Sequence, residues 1–220
     1  MTAVTPTVSA DHRYVVIEGP IGVGKTSLAQ KLAPLMSADL ILEHAEDNPF
    51  LERFYRSPRT GALPAQLFFL FQRSRQLQQL RQSDLFAPVR VSDFLLEKDR
   101  LFARVTLDDE EYSLYEQVYD RLAIDAPKPD LVVYLQAPVD VLMDRIARRG
   151  IRYEQAMERA YLERLVDAYT RFFHQYIESP LLIVNAADVD FLGNESHFAQ
   201  LEAEVKRPRR GRHYFNPFSG

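Results

Sequence analysis

Short apolar, β-branched runs alternate along the chain with longer segments in which apolar residues recur every three or four positions. Such runs predict buried strands, and they lie at Arg13–Gly19, Asp39–Glu43, Pro88–Asp93, Pro129–Pro138 and Pro180–Ala186. The longer segments between them predict helices. Because strands that alternate with helices are typical of a parallel sheet with helices on both faces, the pattern predicts an α/β fold.

The helical segments differ in length and in how they end. They cover Lys25–Met36, Asn48–Tyr55, Leu63–Gln82, Tyr112–Ala123, Val139–Gly150 and Glu154–Glu178. We expect Pro34 to kink or end the first of them and Gly150 to end the fifth.

Length and composition favour one folded domain. The chain has 220 residues, of which 46% are hydrophobic and 26% charged. The net charge of −4 gives no reason to expect nucleic-acid binding. There is no cysteine, which excludes disulfides and thiolate sites and fits a cytoplasmic protein. No apolar run is long enough to span a membrane, so we expect no membrane partner.

The chain ends differ from its centre in composition. Residues 1–12 lack the charged and apolar regions of a secretory signal and are interpreted as a flexible arm. Residues 13–205 are interpreted as the domain. Residues 206–220 are basic and then aromatic, and they are interpreted as a solvated tail, with binding to a partner or folding over the chain's own domain left open.

A glycine-rich motif follows the first predicted strand and opens the first predicted helix. It matches G-x-x-x-x-G-K-[ST], with Ser27 directly after it, and reads Gly19, Pro20, Ile21, Gly22, Val23, Gly24, Lys25, Thr26. Backbone N–H groups and the helix N-terminus suit phosphate oxygens. Lys25 can reach the outer phosphates and the Thr26 hydroxyl can ligate Mg²⁺. The motif therefore predicts a site for a nucleoside triphosphate and Mg²⁺.

Water, a protein or a small molecule could accept the terminal phosphate. A GTPase is disfavoured because Asn185–Asp188 lacks the lysine of N-K-x-D, and Asp190–Gly193, which fits D-x-x-G, follows it in the wrong order. At this length there is little room for a motor or transporter module. A small-molecule kinase is the favoured interpretation.

Two carboxylates are placed to orient or deprotonate an acceptor hydroxyl. Glu43 and Asp93 each end a predicted strand, and ligands of open α/β sheets bind beyond the carboxyl ends of the strands. The acidic run Asp108–Glu111 is interpreted as a solvated face instead.

The order and spacing of these motifs, from about Tyr14 to Phe191, resemble the deoxynucleoside kinases, specifically the bacterial deoxyadenosine/deoxyguanosine kinase type. The resemblance implies a P-loop kinase fold with an arginine-rich lid. It implies transfer of the γ-phosphate of ATP to the 5′-hydroxyl of deoxyadenosine or deoxyguanosine in nucleotide salvage, with deoxycytidine left open. The preferred base, the donor and feedback inhibition are not specified by the sequence.

The resemblance also implies roles for individual residues. Asp93 and Lys25 are expected to be catalytic, together with Glu43 and the lid arginines Arg145 and Arg149. The metal ligands would be Thr26, Glu43 and Asp93. The expected substrate-binding residues are Glu43 and Asp93 at the 5′-hydroxyl, Tyr55 and Glu154 at the 3′-hydroxyl, and Gln66, Arg73 and Asp99 at the base.

The donor side is expected to combine the phosphate loop, the lid and a late loop. The lid segment Asp144–Gln155 carries Arg145, Arg149 and Arg152, whose charge suits a transferring phosphoryl group. Asp190 and Phe191 lie in the segment that resembles the adenine-packing loop.

One departure from the family pattern affects the reaction centre. The family usually has Arg and Ser after its catalytic acid, whereas Phe94 and Leu95 follow Asp93 here. Either the lid arginines supply the missing charge or transfer is impaired.

Two other functions and one assembly state are considered. A nucleoside monophosphate kinase, such as thymidylate kinase, shares the fold but needs more arginines at the acceptor. A non-catalytic nucleotide-binding subunit would keep the fold as an interaction module.

A homodimer is expected because the helices Leu63–Gln82 and Tyr112–Ala123 carry more apolar surface than one sheet face covers.

Overall fold

The computed structural model of the chain describes residues 12–82, 89–122, 126–187 and 190–216. Its six strands are β1 (Tyr14–Glu18), β2 (Asp39–Ile41), β3 (Arg90–Ser92), β4 (Leu131–Gln136), β5 (Leu181–Asn185) and β6 (Arg212–Phe215). They form one sheet in the order β2-β3-β1-β4-β5-β6, and every neighbouring pair is parallel. This confirms the predicted parallel α/β sheet.

The α-helices of the described residues connect the strands. They are α1 (Lys25–Leu35), α2 (Leu51–Arg56), α3 (Pro58–Gln82), α4 (Lys98–Thr106), α5 (Asp109–Leu122), α6 (Val139–Arg149), α7 (Arg159–Gln175) and α8 (Glu195–Lys206). Short 3₁₀ helices lie at Ala45–Asp47 and Arg152–Ala156. In the part of the chain that is described, no helix is both long and apolar enough to cross a bilayer.

Helices cover the sheet on both faces. Every residue of β1 is buried, as is every residue of β4 except Gln136 at its end. A parallel strand that is buried throughout needs cover on both sides. Helix α1 packs against β1, β2 and β3, and in α7 the Tyr169 ring stacks on Tyr134 of β4 with centroids 6.0 Å apart. The carboxyl ends of the central strands stay open toward the loops that follow them.

The lid is less regular than its sequence predicts. The long helix predicted from Glu154 begins only at Arg159, after the 3₁₀ turn Arg152–Ala156. Gly150 ends α6 in the left-handed region with φ of +69°, a conformation that suits glycine. The chain therefore reverses between α6 and α7 without a continuous helix.

The sheet has one strand more than the apolar runs predict. Residues Arg212–Phe215 pair in parallel with β5, and the Arg212 guanidinium donates to the carbonyl oxygens of Phe173 (2.9 Å) and His174 (2.6 Å) in α7. The middle of the segment interpreted as a solvated tail is thus part of the sheet edge.

Some predictions fall outside the described residues. These are the arm up to residue 11, Pro88 of the third predicted strand, Ala123, Asp188 and the tail from residue 217. His12, assigned to the arm, is buried, and its Nε2 lies 3.3 Å from the carbonyl oxygen of Arg207.

Candidate functional site

The phosphate loop, residues 19–26, joins β1 to α1 in a conformation that requires glycine. Gly24 has φ of +104°, and a Cβ there would lie 3.0 Å from the Phe191 ring. A Cβ at Gly19 would lie 2.5 Å from the carbonyl oxygen of Leu135. The Lys25 ammonium folds back onto the loop and donates to the carbonyl oxygens of Gly19 (2.7 Å) and Pro20 (3.2 Å).

Two adjacent cavities open on the phosphate loop. Of the residues predicted to form the site, the first cavity is lined by Ile21, Gly22, Lys25, Thr26, Glu43, Tyr55, Gln66, Arg73, Asp93, Arg149 and Glu154. The second is lined by Gly22, Val23, Gly24, Ser27, Arg145, Arg149, Asp190 and Phe191. Gly22 and Arg149 line both cavities, so the two meet at the loop and the lid.

Four predicted residues line neither cavity: Gly19 and Pro20 at the start of the phosphate loop, Asp99 and Arg152. Arg152 is exposed in the 3₁₀ turn and lines neither cavity. Asp99 is fully buried and contacts the Arg73 guanidinium, which itself lines the first cavity. Asp99 can therefore act on a ligand only through Arg73.

Asp93 lies where the first cavity meets the phosphate loop. Its Oδ2 accepts from the Thr26 hydroxyl at 2.5 Å, and its Oδ1 accepts from the Glu43 backbone N–H at 2.7 Å. Burial raises the pKa of the Asp93 carboxyl above its usual value, although the Thr26 hydrogen bond opposes the shift. A carboxylate with a raised pKa is better suited to accept a proton at neutral pH.

Glu43 is held between two cations. The Arg73 Nη2 lies 2.5 Å from its Oε1, and the Lys98 Nζ lies 2.5 Å from its Oε2. Burial raises the pKa of this carboxyl, but Arg73 and Lys98 outweigh the burial and hold the pKa at about 2. Glu43 is therefore a fixed negative charge in the cavity at any physiological pH.

Aromatic rings form the apolar walls of the first cavity. They belong to Phe54, Tyr55, Phe69, Phe102 and Tyr161. Tyr55 also stacks on Tyr153 of the lid, with centroids 6.0 Å apart and planes 9° apart. Gln66 is buried among these walls and brings a polar amide to them. The combination suits a flat polar ring that is bonded at its edge.

The lid contributes an ion pair and a backbone clamp. Arg149 donates to both carboxylate oxygens of Glu154, each at 2.6 Å. Arg145 donates to the carbonyl oxygens of Val23 (3.3 Å) and Ala186 (2.8 Å), and thereby ties the phosphate loop to the segment after β5. Burial lowers the pKa of the Arg145 guanidinium, but it stays charged at neutral pH.

Besides four of the aromatic wall residues, three charged residues at the site were not predicted from the sequence. Arg148 lines the second cavity, and Lys98 lines the first. Glu18 ends β1 with no exposed surface and accepts hydrogen bonds from the N–H groups of Gly19 (2.8 Å) and Leu95 (2.7 Å) and from the Tyr169 hydroxyl (2.8 Å). Arg148 lies inside the predicted lid segment and Glu18 directly precedes the phosphate loop, but neither they nor Lys98 match a motif position that specifies a role.

The oxygen donors beside the loop suit a magnesium ion that takes most of its ligands from phosphate and water. Thr26 and Asp93 meet at 2.5 Å beside the loop, and both are hard oxygen donors. Within the described ranges, no group of three or more His, Cys, Asp or Glu side chains forms a closed metal site. Mg²⁺ commonly binds through one or two protein groups together with phosphate oxygens and water.

Comparison with known proteins gives consistent results. The deoxynucleoside kinase family matches residues 15–208. A deoxyguanosine kinase of Bacillus subtilis is 35% identical over 201 residues, which cover 88% of this chain and 96% of that protein. A deoxyadenosine kinase of Lactobacillus acidophilus is 27% identical over 212 residues, which cover 90% of this chain and 97% of that protein.

A solved structure agrees in fold. The structure of deoxyadenosine kinase from M. mycoides with bound dATP superimposes with a TM-score of 0.77 and 23% identity, covering 89% of this chain and 100% of that one. At this identity the match supports the fold, and it confirms the predicted P-loop kinase fold.

Proposed function

The chain belongs to the deoxynucleoside kinase family, and we propose that it transfers the γ-phosphoryl group of ATP to the 5′-hydroxyl of a purine deoxynucleoside. The observation that carries the proposal is the meeting of two cavities at Gly22 and Arg149, with Asp93 and Thr26 beside the junction. The second cavity takes the triphosphate and the first takes the nucleoside. Such an arrangement brings the two reactants together at one point, which is the main source of rate in phosphoryl transfer.

Asp93 accepts the proton of the 5′-hydroxyl or orients it. The Thr26 and Glu43 hydrogen bonds fix both of its oxygens, so the carboxylate faces the cavity in one orientation. Its raised pKa favours proton acceptance. When bound, Mg²⁺ neutralises charge on the phosphates, and Thr26, Asp93 and Glu43 are the residues to hold it.

Lys25 and the lid arginines bind the phosphates. On triphosphate binding, Lys25 exchanges its two loop carbonyl partners for phosphate oxygens. Arg149 reaches the junction from the lid and stabilises the charge of the transferring group, whereas Arg145 and Arg148 serve the second cavity. Arg152 is the lid arginine with the weakest support for this role.

Base and sugar are recognised in the first cavity. Gln66 and Arg73 bond the edge of the base, and Asp99 holds Arg73 in place. Tyr55 and Glu154 take the 3′-hydroxyl of the sugar. Relatives named deoxyguanosine kinase and deoxyadenosine kinase support a purine acceptor. A cytoplasmic location stays a prediction that rests on the lack of cysteine.

The test is a phosphorylation assay with ATP and Mg²⁺. The acceptors are deoxyadenosine, deoxyguanosine, deoxycytidine, thymidine and their monophosphates. The proposal predicts turnover of one or both purine deoxynucleosides and a change of base selectivity in the variant Q66A, because Gln66 lines the cavity. Turnover of monophosphates alone would identify a monophosphate kinase instead. ATP binding without any turnover would identify a non-catalytic subunit.

A further inference from the structure

Phe94, the residue after Asp93, brings no charge to the reaction centre. The Phe94 ring has no exposed surface, and the Arg73 guanidinium lies 5.9 Å from its centroid. In the family pattern described above, an arginine usually follows the catalytic acid, and Phe94 stands in its place. Position 94 therefore supplies no cation near Asp93 and Glu43.

Lys98, five residues after Asp93, brings an ammonium group to the first cavity. It is the first residue of α4, its side chain is 3% exposed, and it lines the first cavity. Its Nζ lies 2.5 Å from Oε2 of Glu43 and 3.8 Å from Oε2 of Glu18. A buried ammonium is costly unless it is paired, so these two carboxylates keep it in the site.

The two carboxylates do not depend on Lys98 equally. Glu18 accepts bonds from two backbone N–H groups and the Tyr169 hydroxyl, so it is satisfied without the lysine. Oε2 of Glu43 has the Lys98 ammonium at 2.5 Å, whereas its Oε1 is bonded by Arg73. Lys98 therefore acts mainly on Glu43, which it holds from the side opposite Arg73.

We propose that Lys98 is a positioning residue for phosphoryl transfer, which supplies the cation missing at Phe94 and fixes Glu43 beside the acceptor hydroxyl. The inference rests on the proposed function and deepens it. Because Glu43 donates its backbone N–H to Asp93, the position of Glu43 also sets the position of the base. Lys98 thus acts on the hydroxyl through Glu43 and Asp93 rather than by contact with it.

The test compares K98M with K128M in the full-length chain. Lys128 is an exposed lysine paired with Glu178 on the surface, so it controls for the loss of one charge. In K98M we expect kcat for the purine deoxynucleoside to fall by about 10–100-fold. A loss of this size is typical when a side chain that orients a ligand or catalytic side chain is removed. KM for ATP should change little in K98M, and K128M should match the wild type.

A second pair of variants separates the charge of Lys98 from its packing. K98A leaves a space that opens on the cavity, and added ethylamine should restore part of kcat, whereas ethanol at the same concentration should not. K98R keeps the charge and should retain more activity than K98M. Circular dichroism and thermal unfolding show that each variant is folded, and if K98M does not fold, the amine rescue of K98A decides.

Two results would overturn the inference. The first is an active wild type whose kcat is unchanged in K98M. The second is a loss of kcat in K98M and K98A that ethylamine does not restore more than ethanol does, which would show that Lys98 only packs. An inactive wild type would instead count against the proposed function, so the two failures are distinguishable.

Discussion

At the scale of single residues, the charge of Lys25 depends on pH near neutrality. Burial lowers the pKa of its ammonium from 10.5 to about 8, and the neighbouring Lys98 ammonium adds to the decrease. Nearby carboxylates only partly oppose this. The free protein therefore begins to lose this charge in the pH range in which kinase assays are usually carried out.

This gives a prediction for ATP. Because Lys25 binds phosphates as a cation and loses its proton as pH rises through about 8, kcat/KM for ATP should fall above pH 8. Steady-state kinetics across that range measures it. In the control variant K25R the guanidinium stays charged across this range. Its kcat/KM for ATP should therefore not fall above pH 8, even where the value itself is below that of the wild type. A flat wild-type profile up to pH 9.5, about one and a half units above the predicted pKa, would contradict the assignment.

Single residues of the site were predictable where a motif fixed them and unpredictable elsewhere. Lys25 and Thr26 follow from the glycine pattern, and Asp93 and Glu43 follow from their places after strands. Lys98 and Glu18 have no such pattern, because their partners are distant in sequence: Glu18 and Lys98 are 3.8 Å apart but separated by the whole of β2, α3 and β3. Only tertiary structure pairs these charges.

At the scale of elements, strands were predicted where apolar residues were continuous. β4 and β5 are buried and β-branched, so their sequences specify them. β6 was missed because its residues Arg212–Phe215 are polar and aromatic, and the strand lies at the sheet edge with its two central residues exposed. Helix α7 was predicted too long because the apolar pattern continues through the 3₁₀ turn that precedes it.

The attachment of β6 gives a stability prediction. In R212A the two hydrogen bonds from this guanidinium to carbonyl oxygens near the C-terminal end of α7 are lost. This should lower the free energy of unfolding by about 1–3 kcal/mol. Urea unfolding measures the change. R210A is the control, since Arg210 lies just before the strand and is exposed. Equal stability of R212A and the wild type would favour the solvated tail that the sequence suggested.

At the scale of the whole molecule, the sequence predicted the parallel sheet, and it predicted the edge of that sheet on which the two cavities lie. It also predicted that α3 and α5 carry apolar residues beyond those that the core needs. Phe71 of α3 is 45% exposed and Leu114 of α5 is 51% exposed, and the two helices pack on each other. We propose that this surface is where two copies of the chain associate.

The homodimer is testable by mass. Light scattering at micromolar concentration should give about twice the 25.5 kDa of one chain. The double variant F71E/L114E should give the mass of one chain, because a buried unpaired carboxylate is costly. The control is I177E, which changes an exposed apolar residue outside this surface. A wild type with the mass of a single chain would contradict the proposal.

The central claim is that the terminal phosphate of ATP passes to the 5′-hydroxyl of a purine deoxynucleoside. The most direct measurement follows the label of [γ-³²P]ATP into product with deoxyguanosine or deoxyadenosine, beside the analogues that lack the 5′-hydroxyl, with D93N as the catalytic control. The account predicts a labelled 5′-monophosphate from at least one of the two deoxynucleosides. It predicts no labelled product from the analogues and a loss of about 100-fold or more in D93N. Label on an analogue without the 5′-hydroxyl, or no label on either deoxynucleoside while ATP binds, would contradict it.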